Sequence, residues 1–170
     1  PGSGNFAIHV TGRSAHAGRN PEEGRNAVVA AADLALRLGQ AARAGLTVNP
    51  ARIEGGAPDN VVPAEAVLHV NLRPATPGDE IAARALLDAT IADVAQRHDV
   101  AIRIAGGFGR PPKPATPESA RLFGLVQDCG ALLGQSFGWQ PSGGVCDGNN
   151  IAACGVPVID TMGTRGGAIH

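Results

Sequence analysis

Five histidines punctuate this chain, and their settings differ. His16 sits in "GRSAHAGRNPEEG", between small residues and just after a strand-like run. An imidazole so placed could donate a hydrogen bond to an anionic intermediate, or act as an acid or base near neutral pH. Residue type alone leaves a loop histidine without a role equally open. His9 and His69 alternate along strand-like runs and His98 closes a helical one, so all three read as structural. His170 ends the glycine-rich stretch "DTMGTRGGAIH". It could ligate a metal or take part in catalysis, or be a plain chain-end residue. A metal site needs three or four ligands, and the chain has no HxH, HxD or HExxH pair.

Asn60 lies in the turn "PDNVVP", and thirteen residues later "NLRP" puts Arg73 at a strand end. An amide and a guanidinium can together recognise a carboxylate, the guanidinium through its two-pronged fork. Arg110, in "GFGRPPKP", is similar in kind. Turn asparagines and surface arginines are common, so these residues alone leave function open. "GGVCDGNN" lacks the lysine of a phosphate-binding loop. Cys146, beside Asp147, would be a nucleophile only with a base in reach. Cys129, Cys146 and Cys154 are odd in number and show no CxxC spacing, which argues against a disulfide framework and a thiolate zinc site. A reducing, cytoplasmic setting is expected.

These residues need elements to position them. "FAIHVTG" alternates, with Phe6, Ile8 and Val10 on one strand face, and "GRNAVVAAADLALRLGQ" reads as a helix presenting Val28, Ala32 and Ala35 and stopping near Gly39. "LTVNPARIEGG" and "EAVLHVNLRP" read as strands joined by turn-forming "APDNVVPA". A helix opened by "TPGDE" carries Leu87, Ile91 and Val94, and "VAIRIAGG" is a further strand. The order β-α-β-β-α-β predicts a ferredoxin-like α+β domain over residues 4–110, with two helices on one face of a four-stranded antiparallel sheet. The open sheet edge invites pairing with another chain, so dimerisation is expected. A Gly and Pro boundary at "GGFGRPPKPATPES" precedes a helix over about 118–133 and a tail with one more short helix. Residues 111–170 are too poor in helix and strand to build a core alone, and read as part of a larger α/β domain.

With 170 residues and 44% hydrophobic content the chain can bury a core, one built from Ala and Val, since it has no Tyr, one Trp and four Phe. A net charge of -1 and the lack of a basic stripe with interleaved aromatics argue against nucleic acid as a partner. No run approaches the ~20 apolar residues that span a bilayer, and the start "PGSGNFAIHV" is no leader, so no membrane association is expected. The missing initial Met suggests an excised piece of a longer protein.

Taken in order, "GRSAHAGRNPEEGRNAV", "DNVVPAEAVLHVNLR", "GRPPKP" and "SGGVCDGNNIAACGVPVIDTMGTRGGAIH" cover essentially the whole chain. Together they resemble the co-catalytic zinc aminoacylase and carboxypeptidase family, most closely its glutamate carboxypeptidase branch. That family also includes acetylornithine deacetylase and succinyl-diaminopimelate desuccinylase. The resemblance implies a ferredoxin-like dimerisation or lid domain at 4–110, followed by a C-terminal part of the catalytic domain at 111–170. It implies that His16 reaches the neighbouring protomer's site as an oxyanion donor, that Asn60 and Arg73 contact substrate, and that Arg110 binds a carboxylate. His170 would ligate one of two zinc ions, with cobalt or manganese as alternatives, the Gly166-Gly167 turn letting the backbone approach the metals. The remaining metal ligands and the glutamate base would precede Pro1, so this chain alone would be inactive. The implied reaction is hydrolysis of an amide beside a free carboxylate, in an N-acyl amino acid or peptide, by a homodimer. "VCD" departs from the Thr-Asp or Ser-Asp usual after the paired glycines. The rival readings are a dimerisation module without catalysis and a ferredoxin-like domain binding a small regulatory ligand.

Overall fold

The computed structural model describes residues 1–136 and 138–163. Strand β1 (Ser3–Thr11) is followed by helix α1 (Ala27–Gln40), strands β2 (Leu46–Gly55) and β3 (Glu65–Pro74), helix α2 (Pro77–His98) and strand β4 (Ala101–Arg110). Helices α3 (Pro117–Leu132) and α4 (Gly148–Ala153) complete the described elements. The sheet order is β2-β3-β1-β4 with every neighbouring pair antiparallel. This is the expected split βαβ arrangement, with β3 inserted between β1 and β2.

Period-two alternation sets the layers. Phe6, Ile8 and Val10 of β1 and Leu68, Val70 and Leu72 of β3 are buried on one face. They pack with Ala27, Ala30, Ala31, Leu34 and Leu38 of α1 and Ala83, Leu87 and Val94 of α2. The intervening residues Asn5, Ala7, His9, His69 and Asn71 lie on the uncovered face. The buried row of α1 is turned by one residue from the expected Val28, Ala32, Ala35 row. Val28 and Ala35 are only partly buried and Ala32 is exposed. In so alanine-rich a helix several faces are apolar, and the larger Leu34 and Leu38 decide which one turns inward.

Local signals fix the ends. The Asn26 side chain accepts from Val29 N at 3.0 Å to start α1. Thr76 and Asp79 form a capping box at the start of α2. At the far end of α2, Asp99 takes a left-handed conformation, φ 51 and ψ 51. Pro50 sits on edge strand β2, where the register to β3 shifts between Pro50 and Arg52, a place where a residue without an N–H is tolerated. His98 of α2 holds Asp33 of α1 at 2.9 Å, and Arg37, paired with Asp33 at 2.6 Å within α1, reaches Asp93 of α2 at 2.8 Å, so the two contacts tie α2 to α1. The Arg37 guanidinium, and then the His98 imidazole, keep the Asp33 carboxyl below the usual carboxylate range.

The expected strand "VAIRIAGG" runs three residues further, so that β4 continues through Phe108 and Gly109 to Arg110. Gly106 has φ +101, and a Cβ there would stand 2.1 Å from the Asn5 carbonyl oxygen. Gly107 has open space around it. Gly106→Ala is therefore expected to destabilise the protein by about 2–4 kcal/mol, while Gly107→Ala changes stability by less than ~1 kcal/mol. Urea unfolding of the two variants measures both, and equal effects would contradict this account of β4.

Candidate functional site

The loop after β1 carries His16, and it is held on both sides. Ala17 N donates to Asn60 O at 2.9 Å and Val62 N to Ala15 O at 2.9 Å, so His16 is bridged to Val61. On its other side Arg13 N donates to Arg25 O at 3.0 Å and Arg25 N to Arg13 O at 2.8 Å. Gly12 makes this closure feasible, because a Cβ there would lie 2.0 Å from Arg25 O. The His16 ring is exposed, and its Nδ1 accepts from Gly18 N at 3.1 Å. With Nδ1 occupied as an acceptor, a neutral ring carries its proton on Nε2. The loop thus presents an N–H donor to its surroundings, next to the exposed Asn60.

Arg73 and Arg110 stand at the opposite end of the sheet. β1 and β3 run antiparallel, pairing Thr11 with Glu65 at the His16 end and Gly4 with Leu72 at the other. The eight residue steps from Glu65 to Arg73 place the two ends about 26 Å apart. Within one chain, then, His16 and Asn60 are neighbours, Arg73 and Arg110 share the far end, and the two pairs do not meet. Sequence spacing sets Asn60 and Arg73 side by side as one carboxylate receptor, and the fold separates them. A single ligand could meet both only if another copy of the chain supplied one of them.

Arg73 is oriented from behind: its Nε donates to Asn71 Oδ1 at 2.9 Å, while Asn71 Nδ2 donates to Asn5 Oδ1 at 2.8 Å and Ser3 Oγ at 3.1 Å. One guanidinium nitrogen also donates to Gly143 O at 2.7 Å. Arg110 donates to Asp147 Oδ1 at 3.1 Å, and its buried Nε has no hydrogen-bond partner among the described residues. Between this sheet end and the segment after β4 lies a cleft of about 720 Å³, lined by Arg73, Lys113, Phe123, Trp139, Gly143 and Cys146 among others. Phe123 and Trp139 stack there at 4.3 Å.

The segment after β4 is anchored by residues that the sequence did not single out. Asn149, almost wholly buried, donates to Pro1 O at 2.8 Å and Pro111 O at 2.9 Å, and accepts from Cys146 N at 3.2 Å. Lys113 pairs with Asp160, which also accepts from Cys146 Sγ at 3.1 Å. Cys146 Sγ therefore faces a carboxylate that is itself paired with Lys113, with no imidazole among its hydrogen-bond partners in the described residues. Most of these links join positions far apart in the chain, so no local pattern could reveal them. The Lys113 ammonium holds the Asp160 carboxyl below its ordinary value of 3.8, with the Cys146 thiol adding to the effect.

Among the described residues no three His, Cys, Asp or Glu side chains gather closely enough to hold a metal ion. His170, expected as a ligand, lies outside the described residues. The described part of the chain does not by itself make a metal centre. No described helix is long and apolar enough to cross a membrane.

The sheet with two helices on one face and, among the described residues, no further strand beyond β2 or β4 defines an α+β domain. Residues 1–99 match the peptidase dimerisation domain, and the chain belongs to that family. It is 30% identical to Carboxypeptidase G2 of Pseudomonas sp. (strain RS-16), over 96% of this chain and 40% of that protein. It is 43% identical over 74 residues to one of the p-aminobenzoyl-glutamate hydrolase subunits of Escherichia coli (strain K12), covering 42% of this chain and 17% of that one. The aminopeptidase PepT structure from Bacillus cereus ATCC 10987 superposes with a TM-score of 0.81 at 24% identity, over 92% of this chain and 42% of that one. That likeness shows the fold, and it extends past residue 99. The chain spans at most about two fifths of the length of these relatives.

Because the folded-state pKa of Asp160 lies below 3.8, its stabilisation of the cleft segment is fully present above that value and is lost as pH falls through the lowered one. Asp160→Asn should lower stability near pH 7 by about 1 kcal/mol and flatten the acid side of the stability profile. Denaturant titrations at pH 7 and pH 3 check this, and parallel losses at both would contradict it.

Proposed function

We propose that this chain is the dimerising portion, with an adjoining part of the catalytic domain, of a metal-dependent hydrolase that cleaves an amide beside a free carboxylate. The observation that carries this reading is the separation of the candidate residues. An imidazole donor with Asn60 occupies one end of the sheet, and two arginines suited to a carboxylate occupy the other, about 26 Å away. A homodimer whose two-fold axis lies across the strands resolves this, because that axis reverses the partner and brings its His16 end toward the first chain's arginine end. Residues 4–110 then form the dimerisation domain and residues 111–170 belong to the catalytic domain.

In that arrangement the Nε2–H of His16 donates to the oxygen that becomes negative when the amide carbonyl is attacked. Asn60 arrives with it from the same chain. Arg73, its fork held by Asn71, and Arg110 fix the substrate's free carboxylate. Zinc, with cobalt or manganese as alternatives, would supply the activated water, and His170 would be one of its ligands among others from outside the described residues. The substrate class is an N-acyl amino acid or peptide. The kinship with a p-aminobenzoyl-glutamate hydrolase makes p-aminobenzoyl-glutamate the first substrate to test. The three free cysteines favour a cytoplasmic location.

His16→Ala in the complete protein should lower kcat on p-aminobenzoyl-glutamate by about 100-fold or more. Arg110→Met should chiefly raise KM. Co-expressing the two variants tests the exchange between protomers. Half of the dimers formed at random are hybrids, each with one intact site, so at substrate far below the raised KM of Arg110→Met about a quarter of the original activity should return. No recovery would mean that His16 serves its own chain. Metal-dependent turnover that never appears would favour a dimerisation module without catalysis.

A further inference from the structure

Arg25 lies in the loop that carries His16 and Asp99 ends α2, and the side chain of neither has yet been given a role. Arg25 Nε donates to Asp99 Oδ2 at 2.6 Å. The same guanidinium donates to Glu22 O at 3.0 Å and Gly24 O at 2.8 Å. Its backbone closes the loop through the two bonds with Arg13, and Arg13 in turn donates from its side chain to Glu23 O. One side chain thus gathers the C-terminal limb of the loop that carries His16 and fastens it to the end of α2.

Asp99 is an unusual occupant of its position. It ends α2 in the left-handed region, where glycine is the ordinary residue. Its carboxylate is 77% exposed and its partner 30% exposed, so the pair contributes little to global stability. A residue that strains the backbone and adds little to folding needs another explanation, and the carboxylate supplies one. We infer that Asp99 and Arg25 form a strut that positions the His16 loop, making both of them positioning residues for the reaction proposed above. The inference rests on that reading of His16. Misplacing a donor by about 1 Å costs on the order of 100-fold in rate, so a strut at the loop's base has leverage on turnover.

In the complete protein, Asp99→Gly should leave the melting temperature unchanged or higher while lowering kcat on p-aminobenzoyl-glutamate about 10- to 100-fold at unchanged KM. Arg25→Met should lower kcat similarly. The double variant should be no worse than Arg25→Met alone, because that change already removes the link to Asp99 together with the bonds to Glu22 O and Gly24 O. Hydrogen exchange supplies a readout independent of turnover: the amides of Ala17, Gly18 and Asn20 should exchange at least about tenfold faster in both variants, with the sheet amides unaffected. Losses that multiply in the double variant, or unchanged kcat and exchange in both, would overturn the strut if His16→Ala still abolishes turnover. If His16→Ala itself leaves kcat unchanged, the underlying reading of His16 fails and the strut's role in the reaction falls with it.

Discussion

β1 hydrogen-bonds along both edges, to β3 and to β4, and both pairings are antiparallel. That ladder sets the distance between everything that could do chemistry here. It sends the loop carrying His16 out of one end of the sheet and brings β4 back at the other end to deliver Arg110. β3 performs the same service for Asn60 and Arg73, which precede and end one strand. Ile8 and Leu68, fully buried at the centre of the ladder, keep the register from slipping, since a shift of one residue would turn the whole apolar row toward water.

The ends differ in how they are made rigid. At the His16 end the loop is built from backbone pairing, with Gly12 admitting the close approach to Arg25 O. At the arginine end, side chains supply the rigidity: a relay from Asn5 and Ser3 through Asn71 to Arg73 holds a guanidinium that then reaches Gly143. Asn149 closes the same end by bonding two carbonyls from distant parts of the chain. A backbone-paired loop leaves its histidine available at Nε2, while a relay of amides aligns a cation. Those suit a hydrogen-bond donor and an anion receptor respectively.

The segment after β4 has a different character. Leu125, Leu132, Leu133, Ile151, Val156 and Met162 are exposed, in contrast to the continuous core beneath the sheet. An apolar surface of this kind is normally covered by other polypeptide. This agrees with the chain spanning only 40% of the length of Carboxypeptidase G2. Under the proposed function the cleft beside Arg73 forms one wall of the substrate site.

Sequence by itself determined the element order, the buried row of β1 and the start of α2, because each depends on residues a few positions apart. It also marked His16, Asn60, Arg73 and Arg110 as candidates by type and setting. The phase of α1 was not legible, since alanines made several faces equivalent and only packing chose between them. The last three residues of β4, Phe108 to Arg110, were hidden because glycine and the following prolines read as a break. Tertiary structure alone decided which candidates meet. It separated Asn60 from Arg73 by the length of a strand, joined His16 to Asn60, and paired Arg25 with Asp99 across 74 positions. Such distances follow from strand direction and register, which arise from hydrogen bonds between segments remote in the chain.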